Sequence, residues 1–274
     1  MEKEHKNQIE LLSWVNESKM DTIHLSKNPK AMDYLIANPD KINWIFLAVN
    51  PNAIEILKRN RTRICWTYLS GNPAAIPYLM ENPANINWNY LSENPGAIHI
   101  LNANQEKIDW DRLSSNENAR ELLMANQDKI NWKNASSNPC IVDLLLKNLN
   151  KINWTVFSNN PSSIAIEYLT ANQDKIHWCS ICSNPSAMDL INKNTDKICW
   201  SCLSANPNAI ELLKQNIKSV NWSLLSSNPS IFGYDYQKMS KERTFILEEE
   251  LLMKTLHPKR IEAWLEAGLS IDDL

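Results

Sequence analysis

The sequence predicts an all-α fold, an α-solenoid of about nine 22-residue two-helix repeats with helical end caps. Three observations carry this. Trp recurs at positions 44, 66, 88, 110, 132, 154, 178, 200 and 222, with every step 22 residues except one of 24. A fixed period in this range marks a stacked repeat array. Asn follows each Trp by six residues and Pro by seven, with Glu117 the one departure from Pro. The apolar residues beyond each Asn-Pro, such as Ala209, Ile210, Leu212 and Leu213, fall on one helical face and do not alternate as in a strand.

With Trp set as position zero, each unit can be read in order. Asn at +6 (Asn28, Asn50, Asn72, Asn94, Asn116, Asn138, Asn160, Asn184, Asn206, Asn228) is an N-cap, and Pro at +7 supplies a preset φ with no donor to lose. A first helix starts there. A second Asn (Asn38, Asn60, Asn82 and their equivalents) ends it and is expected to cap the next helix. With only 4 Gly in the chain, Asn is also expected to supply the left-handed backbone at helix junctions. The second helix carries Ile at −2, Trp at zero and usually Leu at +3. Trp reads as the core knob of each thin unit, with its indole N–H on the polar residue at −1 or on a nearby Asn. Going back 22 residues from Trp44 reaches Thr22, whose surroundings fit the same frame. The 24-residue step places two extra residues just after Pro161, lengthening that helix start.

Residues 1–21 read as an N-terminal half-repeat or cap, 22–230 as the array and 231–274 as a C-terminal helical cap. In that last segment ERTFILEEELLMKTL forms one helix, and His257-Pro258 opens another that stops at Gly268. With neighbouring helices ~8–10 Å apart, an open stack of this kind extends on the order of 80–100 Å.

A net charge of −3 argues against nucleic-acid phosphate as the main ligand. The polar start MEKEHKNQIE is no secretory signal, and no apolar run reaches the ~18–20 residues of a membrane span. Six Cys without a signal point to free thiols in a reducing compartment. Scattered His and few Gly yield no catalytic arrangement and no phosphate loop, so the expectation is a protein that is not an enzyme and needs no cofactor.

The phrase Ile86-Asn87-Trp88-Asn89-Tyr90-Leu91-Ser92-Glu93-Asn94-Pro95 and its copies over residues 22–230 resemble tandem repeats in uncharacterised proteins of large nucleocytoplasmic DNA viruses. The resemblance implies a virus-encoded protein acting in a host cell, in its cytoplasm or in the virion, and it transfers no catalytic residue.

Four features are candidates for function. Cys179, Cys182, Cys199 and Cys202 match the C-x2-C…C-x2-C spacing of a zinc ribbon. Plain buried thiols are the adopted reading, with no metal, and a four-thiolate zinc site is the alternative. An acidic column at +11 (Asp33, Glu55, Glu121, Asp143, Asp189, Glu211) and a basic one at −3 (Lys41, Arg63, Lys107, Lys129, Lys151, Lys175, Lys197) read as solvated stripes. Asp or Glu beside many of those Lys weakens an RNA-binding reading. The adopted site is the +2 column, where Phe46, Tyr68, Tyr90 and Arg112 follow one another in consecutive units with the residue types of binding hot spots. The partner is then another protein, of unknown identity, bound by a non-enzymatic scaffold.

Overall fold

A computed structural model describes residues 9–234, 236–255 and 257–267. It is an all-α repeat with the expected period. Each unit holds two short helices, and in most units a single 3-10 turn leads into each of them. In the unit of Trp88, Pro95–Ala97 is such a turn, Ile98–Ala103 the first α-helix, Gln105–Lys107 a second turn and Trp110–Leu113 the next α-helix. Pro at the helix start favours the tight lead-in. The first helix of the Trp154 unit, Ser163–Ala171, absorbs the two extra residues as a longer α-helix.

The asparagines at +6 do more than cap. Asn94 Oδ1 accepts from the Gly96 N–H at 2.9 Å, the expected N-cap bond. Its Nδ2 donates backward into the previous unit, to Ser70 O at 2.9 Å and Asn72 O at 3.0 Å. The same pair of bonds recurs at Asn50, Asn72, Asn116, Asn138, Asn160, Asn184, Asn206 and Asn228. All of these side chains are buried. A buried amide with both donors and its acceptor engaged has no unmet polar demand. Ser at +4 forms a second ladder: Ser92 Oγ donates to Trp88 O at 2.8 Å and accepts the Asp109 N–H of the next unit at 3.0 Å.

Both ladders run on from the last unit into the first. Asn28 Nδ2 donates to Ser226 O at 3.0 Å and Asn228 O at 2.9 Å, and the Asp21 N–H donates to Ser226 Oγ at 2.9 Å. Lys19 lies 5.5 Å over the Trp222 ring, and Trp14 packs against Trp222 at 6.4 Å. The array is therefore a closed ring of ten units, the unit of Thr22 being the tenth. The expectation of an open, extended stack is overturned. Its physical reason lies in the ladders: every unit offers carbonyls on one side and amide donors on the other, so ten equal steps of about 36° each join donor to acceptor.

The repeat unit reaches beyond residues 22–230. Residues 13–232 form one compact unit, so Trp14, Lys19 and Asp21 belong to the ring, which presents no open end to cover. The described residues of 9–12 and 233–267 form a second unit. Its described part contains the strand β1 (Ile9–Leu11) paired with β2 (Phe232–Tyr234), and the helices Tyr236–Thr255 and Pro258–Glu266. Both C-terminal helices were expected; Gly268 lies outside the described residues. No helix among the described residues is long and apolar enough to cross a membrane.

Two junction expectations change. The Asn that ends each first helix keeps a negative φ, −138° at Asn104, so no left-handed residue is needed. Its Nδ2 instead donates to the carbonyl four residues back, as from Asn104 to Ile100 O at 2.9 Å, closing the helix end with a side chain. The residue at −1 caps the Trp helix: Asn87 Oδ1 accepts the Tyr90 N–H at 3.1 Å. It is thus engaged by backbone and not by the indole.

The core is the Leu column at +3 with its Leu or Ile partners at +13; Leu91 and Leu101 are fully buried. The nine repeat Trp are only half-buried, which corrects their assignment as core knobs. One face rests on the first helix, as Trp66 stacks on Tyr78 at 5.5 Å. Other repeat Trp rings are roofed by the cation at −3 of the next unit: Lys107 over Trp88, Lys129 over Trp110 and Lys151 over Trp132, at 4.2–4.4 Å. Arg63 covers Trp44 and Lys197 covers Trp178 in the same way. Trp is where it is because one indole can bury one face and seat a neighbour's cation on the other.

Candidate functional site: the inner wall of the ring

Consecutive Trp helices pack directly on one another, while consecutive first helices stand farther apart. In a closed ring spacing grows with radius, so the Trp helices form the inner layer. Trp and Leu at 0 and +3 face the outer helices. At ~100° per residue, +2 and +5 lie on the opposite side, toward the ring axis. The +2 column is part of the inner wall.

The structure brings the sequence-derived site residues together. Phe46 and Tyr68 rings lie 5.4 Å apart, Tyr68 meets Tyr90 edge-on at 5.4 Å, and the Arg112 guanidinium sits 4.1 Å over Tyr90. Lys27, at +5 of the Thr22 unit, extends the column at its other end, 4.4 Å from Phe46. Each of these residues keeps part of its surface open. The rings therefore brace neighbouring units and remain available to a ligand.

Arg112 also donates to Glu93 Oε2 at 2.7 Å and has Asp109 at 3.9 Å. Burial opposes the charge on this guanidinium, but Glu93 outweighs it and holds the pKa above its usual value. Beyond Arg112 an open recess of about 460 Å³ is lined by Glu93, Asp109, Asp111, Asn134 and Val156 among others. Three carboxylates and one guanidinium line it. Sequence reading found the aromatic column but missed Glu93 and Asp111; the signal was their places at +5 and +1, which share the inner face with +2.

Several cations of the basic column at −3 are seated on Trp faces. Lys175 pairs with Asp174 at 2.9 Å, and Lys41 bonds to Glu17 and Tyr34. The acidic +11 residues are exposed, with Asp143 paired to Arg120 at 2.7 Å.

Of the four Cys in the ribbon-like pattern, three come together. Cys179, Cys199 and Cys202 place their sulfurs within 4.8 Å of one another. Cys182 is outside that cluster: it takes the place of Ser at +4, is buried, and its Sγ accepts the Cys199 N–H at 3.3 Å.

No family model, curated protein or solved structure matches the chain.

Proposed function

We propose that the ring is a non-enzymatic binding module that holds a segment of a partner protein against its inner wall, the segment presenting a basic side chain next to an aromatic or aliphatic one. The observation that supports it is the run Phe46–Tyr68–Tyr90–Arg112 ending at an acidic recess. Aromatic rings that are already stacked lose little conformational freedom on binding, which suits hot-spot residues. The excess of carboxylate over guanidinium beside them favours a Lys or Arg from the partner. In line with the INWxxLSxNP resemblance, the partner belongs to the host cytoplasm or the virion of a large DNA virus.

Selection of displayed random peptides on the full chain tests this. The expected consensus pairs a basic with an apolar residue. Tyr68→Ala with Tyr90→Ala should weaken the selected peptides by ~2 kcal/mol per ring while helical circular dichroism stays unchanged. A consensus rich in Asp and Glu, or unchanged affinity in the double variant, contradicts the reading.

A further inference from the structure

The array geometry itself creates a contact triad across each unit boundary: +1 of one unit, and −1 and +2 of the next. At two boundaries with polar residues at these positions, they meet. Asn131 Nδ2 donates to Asp111 Oδ1 at 2.9 Å, and Asn134 Nδ2 donates to Asp111 O at 2.9 Å. Asn221 Nδ2 likewise donates to Ser201 Oγ at 2.8 Å. Between the units of Trp178 and Trp200 all three positions are Cys: Cys179, Cys199 and Cys202.

We propose that Cys179, Cys199 and Cys202 form a three-thiolate site for a thiophilic closed-shell metal ion, Zn²⁺ or Cu⁺, with its remaining coordination face open toward the interior of the ring. Sulfurs around a single ion at M–S ~2.3 Å stand ~3.8 Å apart, so the observed cluster needs only small side-chain rotations to close on one. Soft thiolates select such ions over the hard oxygen-seeking cations. Burial opposes ionisation of Cys199, but the N–H groups of Cys202 and Ser201 and the two neighbouring thiols lower its pKa. Burial and that neighbouring thiol push Cys202 up to about 12. A bound metal ion would displace the thiol protons and release them to solvent. No electron transfer is involved.

The site is independent of the peptide-binding reading and differs from a zinc ribbon in one checkable way. Cys182 is a ladder residue whose place is filled by Ser in most other units, so Cys182→Ser restores the array's own side chain.

Full-length protein, reduced and stripped of metal, is titrated with Zn²⁺ against a chromophoric chelator and, anaerobically, with Cu⁺ against a cuprous chelator. One equivalent of at least one ion is expected, and Co²⁺ should give a thiolate-to-metal charge-transfer band. Cys179→Ser or Cys202→Ser should weaken binding at least about 100-fold with unchanged circular dichroism, whereas Cys182→Ser binds like the parent. Absence of stoichiometric binding by both ions overturns the proposal. So does a loss in Cys182→Ser as large as in Cys179→Ser, which would indicate the four-thiolate ribbon.

Discussion

Asn28→Ala is expected to destabilise the protein as much as Asn94→Ala, by about 2–4 kcal/mol in each case. Each substitution removes an N-cap, worth ~1 kcal/mol, leaves one buried carbonyl of the preceding unit without a donor, and takes one of two donors from a second carbonyl that keeps its backbone N–H. For Asn94 those carbonyls belong to Ser70 and Asn72. For Asn28 they belong to Ser226 and Asn228, about 200 residues away in sequence. In an open stack Asn28 would sit in a terminal unit and lose little more than its cap. Equal costs in chemical denaturation therefore support closure, and a cost near ~1 kcal/mol for Asn28 alone would contradict it.

The second large effect is expected at Phe157. It occupies the Leu column at +3, is fully buried, and meets Trp154 at 5.6 Å and Tyr168 at 6.3 Å, both nearly edge-on. Here the two extra residues after Pro161 lengthen the first helix, and a larger side chain fills the space beside it. Phe157→Ala should cost about 4 kcal/mol as a lost core aromatic, and Phe157→Leu about 1 kcal/mol because it restores the column's usual residue but underfills the site. Trp88→Ala should cost less than Phe157→Ala, since Trp88 is half-buried and its outer face holds only Lys107. The reverse order in thermal denaturation would restore Trp as the core knob.

The local structure was legible in the sequence because each device is local. Asn-Pro reads as a cap followed by a first turn, the Leu spacing reads as a buried face, and the insertion near Pro161 was placed correctly. What was not legible depends on the neighbour. That Asn94 donates across the boundary as well as capping could be seen only once units were stacked. The same holds for Lys107 on Trp88. Closure is a property of the accumulated rotation per unit, and no single residue encodes it. One trace of it was present: Lys19, three residues before Thr22, matches the roofing Lys of other units, and the ring it covers is Trp222 of the last unit. The candidate site was half legible. The +2 column stood out by residue type, whereas Glu93 and Asp111 join it only because the inner face gathers +1, +2 and +5. Likewise the spacing of Cys suggested four ligands, and the Ser ladder removed Cys182 from the set.

The most direct test of the closed ring is a distance. Lys30, Asn52 and Ser230 occupy +8 in the units of Thr22, Trp44 and Trp222. Spin labels introduced at these sites through unnatural amino acids leave the six Cys untouched. Pulsed dipolar spectroscopy on the 30/230 pair should then give the same short distance as the 30/52 pair, because both join adjacent units. A 30/230 distance on the order of 80–100 Å, as expected when helices ~8–10 Å apart stack in an open array, would contradict the ring.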